Sequence, residues 1–362
     1  MIRRKPEGPL RKGWTTGACA TAAASAAYRA LLSGRFAESV TIALPRGEKP
    51  TFALSRAELD APGATAGVIK DAGDDPDVTH GAEIVVRVEI ASLGGGVQFR
   101  AGEGVGTATL PGLPIAVGEA AINPAPRRMM EHAIAALAKE FSAPGEVILT
   151  ISIPGGGELA KRTMNGRLGI LGGLSVLGTT GVVLPYSCSA WVYAIRGGID
   201  VARASGFDHI AAATGATSEA GARALHGLAE AACIEMGDFA GALLKYLAKH
   251  PVKRLTIAGG FAKLSKLAGG HLDLHSDRSE VDFANLAAML RELGAAEELA
   301  ARAGRANTAN QVLEMARGHG LPLAGLVAER ARETALATLA GGVRVDVAVF
   351  DRAGGLVGHG GG

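Results

Sequence analysis

The second half of the chain repeats one pattern three times: a short apolar run closed by glycine, then a stretch with helical propensity. HIAAATG (209–215) leads into SEAGARALHGLAEAA, CIEMG (233–237) into DFAGALLKYLAKH, and RLTIAGG (254–260) into FAKLSKLAGG. Continuous apolar runs of this length suit strands covered on both faces, and strands alternating with helices imply parallel βαβ winding. Ligands of such sheets bind beyond the carboxyl ends of the strands, which is where these glycine turns fall. The first half has another rhythm. SVTIAL (39–44), EIVVRVEI (83–90) and VILTISIP (147–154) read as strands. The small-residue segment 16–32, opened by a capping TTG, and PRRMMEHAIAALAKEF (126–141) read as helices. That mixture predicts an α+β layer. At 362 residues the chain exceeds what one core usually serves. The fold class expected is therefore α/β and α+β in two domains. An N-terminal α+β two-layer domain covers 1–170, and a C-terminal α/β domain with a mainly parallel sheet covers 171–362. The glycine-rich apolar stretch 165–187 is the expected seam.

Composition narrows the function classes. Glycine is 52 of 362 residues, against a usual share of about 7%, yet it follows no period, so collagen-like and low-complexity readings fail. A net charge of +2 and 4% aromatics give neither the electrostatic footprint nor the stacking surface of a nucleic-acid binder. Cys19, Cys188 and Cys233 are far apart and form no CxxC, which fits a reducing cytoplasm. The basic head is followed by a run too polar for an export core, and no strongly apolar run reaches the length of a membrane span.

The densest charge lies in KDAGDDPDVTHG (70–81), with Asp71, Asp74, Asp75 and Asp77 beside Lys70 and His80. A calcium loop closes with glutamate at its twelfth position; counted from Asp71 that residue is Ala82, and from Asp74 it is Val85, so an EF-hand is excluded. Two readings remain: aspartates capping backbone N–H groups, or a functional loop. GEGVGTATLPGL (102–113) misses the dinucleotide fingerprint because its third glycine comes one residue early, and GxxxxGK[ST] is absent. His271 and His275 have i, i+4 spacing but no HExxH, and the flanking Gly269, Gly270 and SDRS favour a loop. They suit ligand carboxylates or solvent better than a metal, and no protein-bound metal is expected. TGATSEAG (214–221) is either an ordinary helix cap or an anion site at a helix N-terminus. Arg127, Arg167 and Lys263 flank glycine loops or strand ends, where a polyanion could be clamped.

LRKGWTTGACATAAA, KDAGDDPDVTHGAEI, GEGVGTATLPGLPIAVGEAAINPAPRRMM, NGRLGILGGLSVLGTTGVV and GGFAKLSKLAGGHLDLHS together resemble, in that order, blocks of the cobalt-precorrin-5B (C1)-methyltransferase family, CbiD. The resemblance extends from about residue 10 to residue 280. It implies methyl transfer from S-adenosylmethionine to ring carbon C1 of a cobalt tetrapyrrole in cobalamin biosynthesis, yielding cobalt-precorrin-6A. The cobalt then belongs to the substrate. A non-catalytic corrinoid carrier and a phosphotransferase are the alternatives. No catalytic assignment is carried over, so the roles come from the residues. Asp71, Asp74 and Asp75 are the catalytic candidates. Thr214, Gly215, Ser218, Glu219, Gly259 and Gly260 are expected at the methyl donor, and Lys70, His80, Arg127, Arg167, Lys263, His271 and His275 at the substrate. A homo-oligomer is compatible with the sequence.

Overall fold

The computed structural model describes residues 8–92 and 94–361, so most of the basic head, residues 1–7, lies outside the described residues. The chain divides into two compact units, Met1–Cys188 and Ser189–Gly362.

The first unit is built on a five-stranded sheet in the order Arg56–Asp60, Gly63–Ile69, Glu83–Ile90, Val147–Ser152, Val97–Ala101. Its pairings are antiparallel except the last, where Val97–Ala101 runs parallel to Val147–Ser152. Val147, Leu149 and Ile151 alternate into the core with Ile84, Val86 and Val88, and the helices Thr16–Ser33 and Pro124–Phe141 cover them. Thr15 caps the first helix by accepting from the Ala18 amide at 3.2 Å, and Gly34 ends it in the left-handed region. The helix is almost wholly buried because its alanines let neighbours approach closely. At Gly17 a Cβ would lie 2.8 Å from Pro126 Cγ of the second helix. The hairpin Arg56–Asp60 to Gly63–Ile69 was not expected. RAELD is mostly exposed and GATAGVI is rich in small residues, so neither shows a clear two-residue period.

The glycine-rich stretch 165–187 is woven into this unit, and the unit ends at Cys188, beyond the expected boundary at 170/171. Ile170–Leu171 pairs with Thr107–Ala108, Val182–Val183 pairs with Gly13–Trp14, and the Leu174 and Val176 amides bond to Gly104 and Ala121 carbonyls. The GEGVG loop is a packing element. A Cβ on Gly173 would meet the Gly104 carbonyl oxygen at 2.2 Å, and one on Gly156 at 2.3 Å, so the loop packs backbone against backbone.

The second unit has the expected parallel sheet, in the order Cys233–Glu235, His209–Ala213, Arg254–Gly260, Arg344–Phe350, with Leu356–Gly360 added antiparallel at one edge. Ile210, Ala212, Leu255, Ile257, Val345 and Val347 face a large core shared with helices such as Ala240–Leu247, Phe261–Ala268 and Leu323–Leu339. Ala211, Ala213, Ala258 and Ala348 face the opposite way, against Ala222 of helix Ala216–His226. Among the described residues no helix is long and apolar enough to cross a membrane.

Candidate functional site

In the second unit the sheet reverses its winding. From strand His209–Ala213 the chain steps outward to Cys233–Glu235; it then returns to the other side of His209–Ala213 as Arg254–Gly260 and continues to Arg344–Phe350. The carboxyl ends of His209–Ala213 and Arg254–Gly260 therefore flank a topological switch point, where the loops diverge and leave a crevice. A cleft of about 370 Å3 opens there, lined by residues 214–218, 260–263, 308–310, Leu313 and 350–352. Its rim carries the first residues of helices Ala216–His226, Phe261–Ala268 and Ala309–Gly318, whose leading amides lack intrahelical acceptors. Their dipoles favour negative charge at this end. Lys263 adds a cation, held 3.2 Å from the Thr214 carbonyl oxygen and 3.0 Å from an Asp238 carboxylate oxygen. Phe261, Leu313 and Phe350 supply apolar wall. The cleft is thus suited to a ligand with an anionic end and an apolar body.

In the first unit the aspartate loop is closed on itself. Lys70, 1% exposed, pairs with Asp77 and donates to Thr79 Oγ1 at 2.6 Å. Burial works to raise the Asp77 carboxyl, but Lys70 and Thr79 outweigh it and the group titrates below its ordinary range. Asp71 takes the Arg11 guanidinium in a two-point ion pair and also accepts from the Gly73 amide at 2.9 Å. The bond to Arg11 holds its carboxyl down at about 2. Asp74 accepts from the Arg11 amide at 2.6 Å. These bonds strap 11–14 against 71–75 so tightly that a Cβ on Gly13 would lie 2.0 Å from the Ala72 carbonyl carbon. Asp75 differs. It is half-buried, burial raises its carboxyl, and the Tyr186 amide donating to Oδ1 at 2.8 Å only partly opposes that rise.

A groove of about 630 Å3 in the same unit runs between the helices Thr16–Ser33 and Pro124–Phe141 and the segment 40–45. Val40, Ile42, Leu44, Met129 and Leu137 give it apolar walls, and Arg128 and His132 stand exposed on its edge.

The description "CbiD" matches residues 3–185, and "CbiD, C-terminal domain" matches residues 273–361. A protein of Paramagnetospirillum magneticum named cobalt-precorrin-5B C(1)-methyltransferase is 56% identical over 353 residues, 97% of this chain and 98% of its own. One of Brucella anthropi with the same name is 55% identical over 356 residues, 98% and 97% of the two chains. The chain belongs to the CbiD family. A crystal structure described as cobalamin biosynthesis protein (cbiD) from Archaeoglobus fulgidus is 25% identical, covers 87% of this chain and 86% of its own, and superposes with a TM-score of 0.40.

On this CbiD chain the expected residues fall into distinct groups. Thr214, Gly215, Ser218, Gly260 and Lys263 come together in the cleft. Gly259 lies behind it, where a Cβ would meet Thr214 and Leu264 at 3.0 Å. Glu219 is 5% exposed and does not line the cleft. Lys70 is consumed by Asp77, which corrects its expected role at a substrate carboxylate. His80 accepts the Ala72 amide at Nδ1, 3.1 Å away, with its ring otherwise exposed. Arg127 bonds to the Ile122 carbonyl at 2.9 Å and to Glu119 at 2.8 Å, stacked 5.2 Å over Phe99, so it staples its own helix start. Arg167 is the half-buried middle residue of the short turn 166–168. His271 and His275 occupy an exposed loop in which His275 Nδ1 accepts the Asp277 amide; their spacing has no helical meaning there. Cys19 lies beside Lys70, and burial pushes its thiol up to about 12, leaving it no thiolate character.

Sequence reasoning missed Thr308, Asn310, Asp351 and Arg352 in the cleft, and the Arg128–His132 edge. RVDVAVFDRAGG (344–355) carries the same signal as the three earlier repeats, an apolar run ending at a glycine turn, and would have pointed to the strand and its terminal loop. Thr308 and Asn310 precede and open an ordinary capped helix, and nothing local marks them.

Proposed function

We propose that this chain transfers the methyl group of S-adenosylmethionine to ring carbon C1 of cobalt-precorrin-5B, giving cobalt-precorrin-6A. The observation carrying this reading is the 55–56% identity, over nearly full length, to proteins named for that reaction. The electron pair of the nucleophilic ring carbon forms the new C–C bond while the methyl–sulfur bond breaks, and sulfur leaves as the neutral thioether of S-adenosylhomocysteine. Such a displacement needs carbon, methyl and sulfur in line, so positioning supplies much of the acceleration and a protein nucleophile is unnecessary. The protonated Cys19 fits that requirement.

The strand-end cleft suits the donor. Its helix N-termini and Lys263 match the methionyl carboxylate, and Phe261, Leu313 and Phe350 offer an apolar wall to the adenine. The groove in the first unit suits the tetrapyrrole, with apolar walls for the ring faces and Arg128 and His132 for acetate and propionate groups. Asp75 is the loop aspartate best suited to remove a proton, because burial raises its basicity while Asp71 is held by Arg11.

The test is anaerobic incubation with cobalt-precorrin-5B and S-adenosylmethionine bearing a deuterated methyl. Mass spectrometry should find the tetrapyrrole heavier by one labelled methyl, with S-adenosylhomocysteine in equal amount. Bound tetrapyrrole of unchanged mass would identify a carrier instead. Donor binding undisturbed by substitution of Lys263 would move the donor out of the cleft.

A further inference from the structure

Away from the cleft, at the far end of helix Ala216–His226, the amino-terminal half of the parallel sheet carries a second cluster of chemistry-bearing groups. Asp346 lies on strand Arg344–Phe350 with a side chain 3% exposed. His226, the last residue of the helix, brings Nε2 to 3.3 Å from Asp346 Oδ2, and His359, on the edge strand Leu356–Gly360, brings Nε2 to 3.5 Å from the same oxygen. His209, at the start of its strand, directs Nε2 to Thr256 Oγ1 at 2.8 Å, and that hydroxyl donates to Asp346 Oδ2 at 2.8 Å. The rings of His209 and His226 meet edge to face, 4.9 Å apart. Despite all these neighbours, the buried Nε2 of His226 has no hydrogen-bond partner.

We propose that His209, His226 and Asp346 form a binding site for one divalent first-row transition ion such as zinc, with His359, which approaches Asp346 alone, turning in as the fourth ligand. The ligand atoms of the first three all lie within 4.8 Å of one another. A tetrahedral ion held at about 2.0–2.2 Å needs ligand atoms roughly 3.3–3.5 Å apart, which is the spacing already found from Asp346 Oδ2 to His226 and His359. Three imidazoles and a carboxylate suit zinc, cobalt or nickel and do not suit magnesium or calcium, which take oxygen ligands. Three ligands are already gathered, and His359 turning in from 3.5 Å off Asp346 Oδ2 would close the site in the structural manner. The carboxylate is supported from behind: Arg254 Nε holds Asp346 Oδ1 at 2.8 Å, leaving Oδ2 turned toward the imidazoles.

The charges around the cluster are mixed. Arg254 and Arg344 oppose a cation, while Asp346 attracts it. Binding asks His209 to carry its ring proton on Nδ1 rather than Nε2, a change of tautomer without change of charge. An ion there would tie the end of the helix to the sheet and give His226 Nε2 the partner it lacks. This site is separate from the proposed donor cleft, which lies at the opposite end of the same helix, about 16 Å away for eleven residues.

The experiment uses the full chain without an affinity tag, stripped with chelator and titrated with Co2+ under visible spectroscopy, then with Zn2+. Thermal unfolding is recorded alongside, with Mg2+ as comparison. The expected result is one Co2+ per chain with the intense visible bands of four-coordinate cobalt, displacement by Zn2+, and a higher Tm with Zn2+ but not Mg2+. His226→Gln and His359→Gln should each weaken binding at least about tenfold. His359 is a third exposed, so its variant should keep the fold where the His226 variant fails to. His275→Gln should bind as the parent does. Absence of cobalt bands at one equivalent overturns the proposal. So does unchanged affinity in a folded His359→Gln variant, which places the ion on other ligands.

Discussion

The aspartate loop of the first unit and the strand-end cleft of the second were both candidates for chemistry, and they use polar groups in opposite ways. In the loop Lys70, Asp71, Asp74 and Asp77 already have partners within the chain, and the result is a strap that fixes 11–14 against 71–75. In the cleft Lys263 is held by Thr214 and Asp238 and Thr308 caps the Gln311 amide, but the first amides of three helices lack intrahelical acceptors at its rim. A dense charge motif therefore marks rigidity as readily as function. A quiet glycine turn at a strand end is the better guide to a crevice, because the sheet topology opens one there whatever the side chains are.

The sharpest break in the comparison should come from Lys70→Ala, which leaves Asp77 partly buried without its cation. A loss of roughly 3 kcal/mol is expected, read as faster hydrogen exchange through Gly63–Ile69 and Glu83–Ile90 with the second unit unaffected. Next is Asp75→Asn, whose amide oxygen can still accept the Tyr186 N–H and keep the turn. If Asp75 is the base, turnover drops by about 10²-fold or more at unchanged ligand affinity; full activity would return the whole loop to a structural role. In the cleft, Lys263→Ala should weaken S-adenosylmethionine about tenfold by calorimetry. Thr217→Asp is subtler, since a carboxylate at the helix start should stabilise the unit by about 0.5 kcal/mol while repelling the donor's carboxylate. Opposite signs for stability and affinity would separate binding from fold, and equal signs would argue against an anion at that end.

The two units should also respond differently to acid. His209 has its pKa depressed to about 4, so its contribution is present above the ordinary histidine value near 6.5 and is lost as pH falls from there toward about 4. Asp71, depressed to about 2, contributes above the ordinary aspartate value and fades as pH falls through about 2. Exchange-detected opening should appear first in the second unit. An Arg11→Gln variant should return the Asp71 carboxyl toward its ordinary range in an NMR titration.

Much of this was legible in advance where local pattern and topology agree. The three strand–glycine–helix repeats imply a parallel sheet and put Thr214, Gly215, Ser218 and Gly260 at one end of it, while Lys263, expected at the substrate, lines that same cleft. Charge partnership was not legible. Lys70 and Arg127 look alike in sequence as free cations, but one is buried on Asp77 and the other stacks on Phe99, through contacts set by how strands and loops cross. The stretch 165–187 looked like a seam because glycine density does not distinguish a linker from backbone packed against backbone.

By itself, then, the sequence determined the family, the winding of the second unit and the strand ends where the cleft opens, because periodicity and turn chemistry act over a few residues. Only the tertiary structure decided which charges are spent internally, that residues near 308 and 351 join the cleft, and that His209, His226, Asp346 and His359 converge. Those residues are separated by up to 150 positions, from His209 to His359, and their meeting depends on strand order and helix placement that no local pattern encodes.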